Sequence, residues 1–165
     1  MRRFAPPRLL LVALVLSAAL AGCDLGTKHL AQTELRAAAP RPLVSGLLDL
    51  RYTENRDVAF NTLRWIPEGV RRPLLLAVNL CAMAAIIFLL VRDKARSTAE
   101  RLGLLLVLGG AIGNFADRGL RGYVIDFIHL HGWPIFNLAD IYLCLGAGLL
   151  LVESFRHARR ARSTG

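Results

Sequence analysis

The sequence predicts an all-α integral membrane protein of four transmembrane helices with both termini cytoplasmic. A small outer-surface subdomain of short β-strands is expected in the first outer loop. Three observations carry this reading. Hydrophobic residues fill 55% of 165 positions and mean hydropathy is +0.45, more apolar than a soluble globule of this size usually is. The charged residues crowd into short segments between four long runs nearly free of charge. Arginine and lysine are densest at the two ends and in one short internal loop, the pattern that marks cytoplasmic segments.

The chain reads as one membrane domain, 1–165. Its first apolar run, Leu9 to Cys23, follows Arg2, Arg3 and Arg8 and predicts a span at about 7–23. The second, Pro73 to Val91, meets the roughly 20 residues a helix needs to cross a bilayer. Arg92, Lys94, Arg96 and Arg101 separate it from a third run, Leu102 to Ala116, and a span at about 101–116. The fourth, from about Trp133 to Val152, is interrupted only by Asp140 and predicts a span at about 134–153. Arg156 to Gly165 reads as a frayed basic end. Two loops then face outward, at about 24–72 and 117–133. The first is too long for a simple turn, and its stretch Leu47 to Phe60 suits short strands.

A net charge of +9 raises the question of nucleic acid. No basic run with interleaved aromatics is present, and arginine at membrane borders accounts for the excess. No nucleic-acid partner is expected. Cys23, Cys81 and Cys144 show no CxxC or Cys/His spacing, so neither a disulfide framework nor a metal site follows.

Ionisable side chains at membrane depth are costly, and each one kept is a functional hypothesis. Asp126, in the apolar run Tyr123 to Ile128, and Asp140 both fall near the outer ends of spans. If the second outer loop folds back, the two carboxyls meet and share a proton, because like charges in a low-dielectric site resist joint ionisation. Such a pair can deprotonate a water and protonate the carbonyl it attacks. Singly, Asp126 could cap a helix or pair with Arg121, and Asp140 could serve packing. Asn114 and Arg118, four apart, share a helix face, as do Asn137 and Asp140, three apart. Asp24 and Lys28 stand in the acid-then-base i,i+4 order that ties off a helix end. Gly109 and Gly113 have the spacing of close helix packing, and Asp117 reads as an interface partner of Arg118. Cysteine and serine peptidase chemistry is disfavoured, since His129 and His131 have no nucleophile beside them in sequence.

Five blocks carry a resemblance. Gly109 to Arg118, Val124 to Phe127 and Phe136 to Asp140 look like the GGxxGNxxDR, VxDF and FNxAD blocks of lipoprotein signal peptidase. Asp24 to Lys28 is similar to that family's DxxTK segment, and Asn55 to Phe60 to its NxGxAF segment. The order and spacing agree from span one to the end of span four. The resemblance implies an aspartic endopeptidase of the bacterial cytoplasmic (inner) membrane, active on the outer side and free of metal and cofactor. It would remove signal peptides from diacylglyceryl-modified prolipoproteins. Asp126 and Asp140 map onto the catalytic pair, and Asn114, Arg118, Asn137, Asn55, Asp24, Lys28 and Gly110 onto substrate-binding positions. Prolipoprotein substrates and membrane lipid are the implied partners of a monomer. Asp57 departs from the pattern where glycine is usual, as does Leu25 where many members carry glutamine.

A rival reading starts at the N-terminus. Its basic start, 15-residue apolar run and Leu20-Ala21-Gly22-Cys23 resemble a lipoprotein signal peptide. The chain would then be a membrane lipoprotein, lipidated at Cys23. That reading offers no reason for the acids of the other blocks. A small transporter or channel predicts broken helices or repeated halves, and neither is visible.

Overall fold

The computed structural model describes residues 7–57, 63, 65–92 and 97–163. Arg2, Arg3, Lys94, Arg96 and the Val58–Phe60 part of the NxGxAF-like block lie outside the described residues. The elements in order are α1 (Pro7–Leu35), β1 (Arg41–Val44), β2 (Leu48–Asn55), α2 (Glu68–Val91), α3 (Thr98–Arg121), β3 (Val124–Leu130) and α4 (Leu138–Ser163). Each of the four helices is long and apolar enough to cross a membrane.

Helix α3 is the hub, packed on the other three. Small residues let it approach closely. A Cβ on Gly109 would sit 2.7 Å from Leu20 of α1, and one on Gly110 would sit 2.5 Å from the carbonyl oxygen of Ala139 in α4. Leu20 meets Gly109 and Asp24 meets Gly113, so α1 and α3 run parallel; Leu150 meets Gly103 and Ala139 meets Gly110, so α4 runs opposite. Arg72 at the start of α2 reaches the Arg118 and Gly119 carbonyls at the end of α3, so α2 is antiparallel too. Pro7 and Ser163 therefore lie at one end of the bundle. Met83, Ile86, Leu104, Leu108 and Ala111 form its core. Leu11, Val15, Val78, Phe88, Leu145 and Leu151 are exposed on its outside, where the solvent of a membrane span is lipid.

The boundaries of α1, α3 and α4 differ from the sequence reading, each for a physical reason. Helix α1 continues past Cys23 to Leu35, because Asp24 and Lys28 are buried as a pair 2.6 Å apart and Ala31 and Leu35 pack on Ile125. Helix α3 starts at Thr98, where Ser97 and Glu100 form a capping box, and ends at Gly122, whose φ of 84° suits glycine. Its last turns are charged but hold partners. Helix α4 begins at Leu138, putting Asp140 in the first turn and not two turns in. It then runs through the basic tail to Ser163 instead of fraying. The Arg156 pair with Glu153 and cations at the helix C-terminus favour that continuation.

The fold is not purely helical. The three strands form an antiparallel sheet in the order β1-β2-β3. Strand β3 comes from the second outer loop, so the subdomain draws on both loops and not on the first alone. Thr53 lies opposite Asp126 and Asp49 opposite His129, with a bulge between Leu50 and Thr53. One sheet face packs on the end of α1 through Tyr52, Ile125 and Phe127.

Candidate active site

Asp126 and Asp140 lie 14 residues apart in sequence, and the backbone between them makes a hairpin. After β3 the chain turns at Gly132, φ 83°, and returns so that Phe136 pairs with Ile128. The Phe136 carbonyl accepts from the Phe127 and Ile128 amides, and the Phe136 amide donates back to Ile128. This return delivers Asn137 and the start of α4 beside Asp126.

Asn137 joins the two acids. Its carboxamide oxygen accepts from the Asp140 amide at 3.1 Å, while Asp140 Oδ2 accepts from the Asn137 amide at 3.1 Å. This reciprocal cap fixes the Asp140 side chain at the helix start. The Asn137 Nδ2 donates to Asp126 Oδ1 at 2.6 Å. Asn55 donates to Asp126 Oδ2 at 2.8 Å, and its own oxygen accepts from the Asp57 amide, which sets its orientation. Asn114 donates to Asp140 Oδ1 at 3.0 Å. Each carboxylate is therefore held through both oxygens by neutral amides.

Behind this layer lies a buried ionic one. Lys28 is fully buried and contacts Asp24 Oδ2 at 2.6 Å, Asp117 Oδ2 at 3.2 Å and Asn114 Oδ1 at 2.9 Å. Because the ammonium takes the Asn114 oxygen, the amide nitrogen must face Asp140. Asp24 also accepts from the Ala139 amide at 2.8 Å, and Asp117 from the Ile125 amide at 3.1 Å. Each grips the backbone one residue before a candidate catalytic acid. Sequence reasoning missed that role for Asp117 and assigned it Arg118 as partner; its partners are Lys28 and Arg121. The grip depends on β3, which no local signal announced. Asp24, Lys28 and Gly110 stand behind the site and do not line it, whereas Asn55, Asn114 and Arg118 do.

The acids open into a cleft of about 750 Å³ that continues between α2, α3 and α4 past Val78, Ile86, Val107 and Leu143, with Trp133 and Pro134 at its rim. Arg118 donates to the Asp57 carbonyl oxygen at 3.0 Å, and its Nε is buried without a hydrogen-bond partner among the described residues. Asp57 spans loop and helix, accepting from the Leu63 amide and pairing with Arg71. Burial, and then the like charge of Asp140, push the Asp126 carboxyl up to about 7 against the opposing Asn55 and Asn137 amides. One proton on the pair near neutral pH is what acid–base chemistry on a carbonyl requires.

The fold, with four helices long and apolar enough to span a bilayer, is that of a multi-pass membrane protein. Two solved bacterial membrane enzymes, determined by the in meso method at 2.3 and 1.9 Å, share it with TM-scores of 0.80 and 0.75 at 22% and 23% identity. The first covers 89% of both chains, and the second 86% of this chain and 91% of its own. The family model described as signal peptidase (SPase) II matches residues 16–156. Lipoprotein signal peptidases of Brucella ovis and Brucella abortus are 36% identical over 143 residues, 84% of this chain and 86% of theirs. The chain belongs to the signal peptidase II family and is a peptidase.

Proposed function

We propose that this peptidase is of the aspartic type and hydrolyses the bond before the diacylglyceryl-cysteine of prolipoproteins at the outer face of the bacterial cytoplasmic membrane, with both termini inside and as a monomer. The observation that carries the reading is that two carboxyls from separate elements, bridged by Asn137, meet where the sheet caps a cleft descending among apolar helices. A substrate whose acyl chains stay in lipid while its peptide rises to the sheet fits that shape.

In the proposed reaction Asp140, ionised, takes a proton from a water whose oxygen attacks the scissile carbonyl carbon. Asp126 carries the shared proton and gives it to the carbonyl oxygen. Collapse of the tetrahedral intermediate breaks the C–N bond as one of its hydroxyls returns a proton to Asp126, and the departing nitrogen takes the proton held by Asp140. Asn55, Asn114 and Asn137 hold the carboxyls, Arg118 offers its unpartnered Nε to a substrate carbonyl, and Asp24 and Lys28 act as positioning residues. Gly110 lets α4 approach.

The lipoprotein reading is disfavoured by the same arrangement. Cleavage before Cys23 would cut α1 one residue ahead of Asp24, whose carboxylate holds Ala139. The test is incubation of the detergent-solubilised protein with a prolipoprotein peptide in diacylglyceryl and unlipidated forms. Cleavage solely of the lipidated form, before its cysteine, with the enzyme retaining the mass of an unprocessed N-terminus, is expected. Equal cleavage of both forms, or an enzyme beginning at a lipid-bearing Cys23, would overturn the proposal.

A further inference from the structure

On the sheet face opposite the acids lies a second cluster that the peptidase chemistry does not use. Asp49 and His129 are direct cross-strand partners, and His131 lies on the turn just after β3. Asp126, three residues before His129, points the other way, into the cleft. Asp49 Oδ1 lies 2.9 Å from His129 Nδ1 and 2.7 Å from His131 Nε2. All three donor atoms fall within 4.8 Å of one another. We propose that Asp49, His129 and His131 form a binding site for a borderline divalent transition-metal ion, Zn²⁺ in the first instance, on the outer sheet.

The donor chemistry selects the ion. Two imidazoles and one carboxylate suit Zn²⁺ or its neighbours, whereas Ca²⁺ and Mg²⁺ require oxygen shells. Three protein ligands leave one position for water. Arg51 occupies the other carboxylate oxygen, Asp49 Oδ2, at 2.8 and 2.9 Å, fixing Oδ1 toward the imidazoles as an outer-shell partner does. The turn is held as well, since the His131 amide donates to the Leu47 carbonyl at 2.9 Å. Tetrahedral coordination at about 2.0–2.1 Å places ligand atoms about 3.3 Å apart. The two His–Asp contacts would thus open by roughly half an ångström, within reach of the half-exposed His131 side chain. The ion would tie β2, β3 and the turn toward Trp133 into one unit.

The test uses the untagged full-length protein in detergent, stripped of metal by a chelator and titrated with Co²⁺ and then Zn²⁺. One Co²⁺ per chain with the visible bands of a four-coordinate site is expected, displaced by Zn²⁺, with a Zn²⁺-dependent rise in the thermal midpoint. His131→Ala and Asp49→Asn should each weaken binding at least about tenfold, and His157→Gln should leave it unchanged. His131 sits on the turn, so its variant keeps the test open if a His129→Ala protein does not fold. Absence of saturable one-to-one uptake, or uptake that survives His131→Ala and Asp49→Asn, would overturn the site.

Discussion

The proton on Asp126 makes the pH profile a quantitative test. Folding raises this carboxyl from 3.8 to about 7, a preference for the neutral form of about 4 kcal/mol. The side chain is 2% exposed, so solvent does little to screen it. With the raised group as the proton carrier of the proposed reaction, activity should hold below about 7 and fall as pH rises through it. Roughly one tenth of the plateau should remain at pH 8 and one hundredth at pH 9. The same shift carries a stability sign. A carboxyl raised on folding contributes stability that is fully present below its unfolded value near 3.8 and lost as pH rises through about 7. Initial rates on a lipidated prolipoprotein peptide from pH 5 to 9, with thermal midpoints recorded from pH 4 to 9, measure both effects. In Asp126→Asn the 4-to-7 slope of the midpoint should disappear. A rate that stays flat or climbs through pH 9, in protein whose midpoint shows it folded, would refute the assignment of the proton to Asp126.

Other perturbations follow from the same contacts. Asn55→Ala removes an amide that holds the Asp126 carboxyl down, so the alkaline limb of the pH–rate profile should move to higher pH while turnover falls about tenfold. Gly110→Ala forces a Cβ against the Ala139 carbonyl and should cost about 1–3 kcal/mol of stability, read as a lower thermal midpoint with turnover reduced. Lys28→Met strands Asp24 as a buried, unneutralised acid and leaves Asp117 to Arg121 alone, and should cost about 3–5 kcal/mol. Pairing it with Asp24→Asn should recover part of the lost folded protein, measured as the amount extracted from membranes.

Much of this architecture was legible because each span announces itself by an apolar run, and the five blocks sit where chemistry constrains residue type. The charge rule could not see where helices end. Asp24, Lys28, Asp117 and Arg121 look like loop residues to a hydropathy reading, yet they extend α1 and α3 because their charges pair within and between those helices. Strand β3 was equally hidden. Val124 to Leu130 alternates only weakly, and it becomes a strand because β2 offers an edge and Asp117 accepts from its Ile125 amide. The meeting of Asp126 and Asp140 could be framed as a condition on loop folding. The Phe136–Ile128 return that meets it is a tertiary event with no local signature. Asp57 illustrates the opposite case: it departs from the pattern where glycine is usual, and its carboxylate accepts from the Leu63 amide and Arg71.

The central claim is that Asp126 and Asp140 together activate water. It is tested most directly by single-turnover cleavage of a diacylglyceryl-prolipoprotein peptide by the wild type and by Asp126→Asn and Asp140→Asn, each checked for its thermal midpoint and for binding of the uncleaved peptide. Both variants should bind the peptide and lose at least about 10²-fold in the cleavage rate. A folded variant of either kind that cleaves at the wild-type rate would contradict that claim.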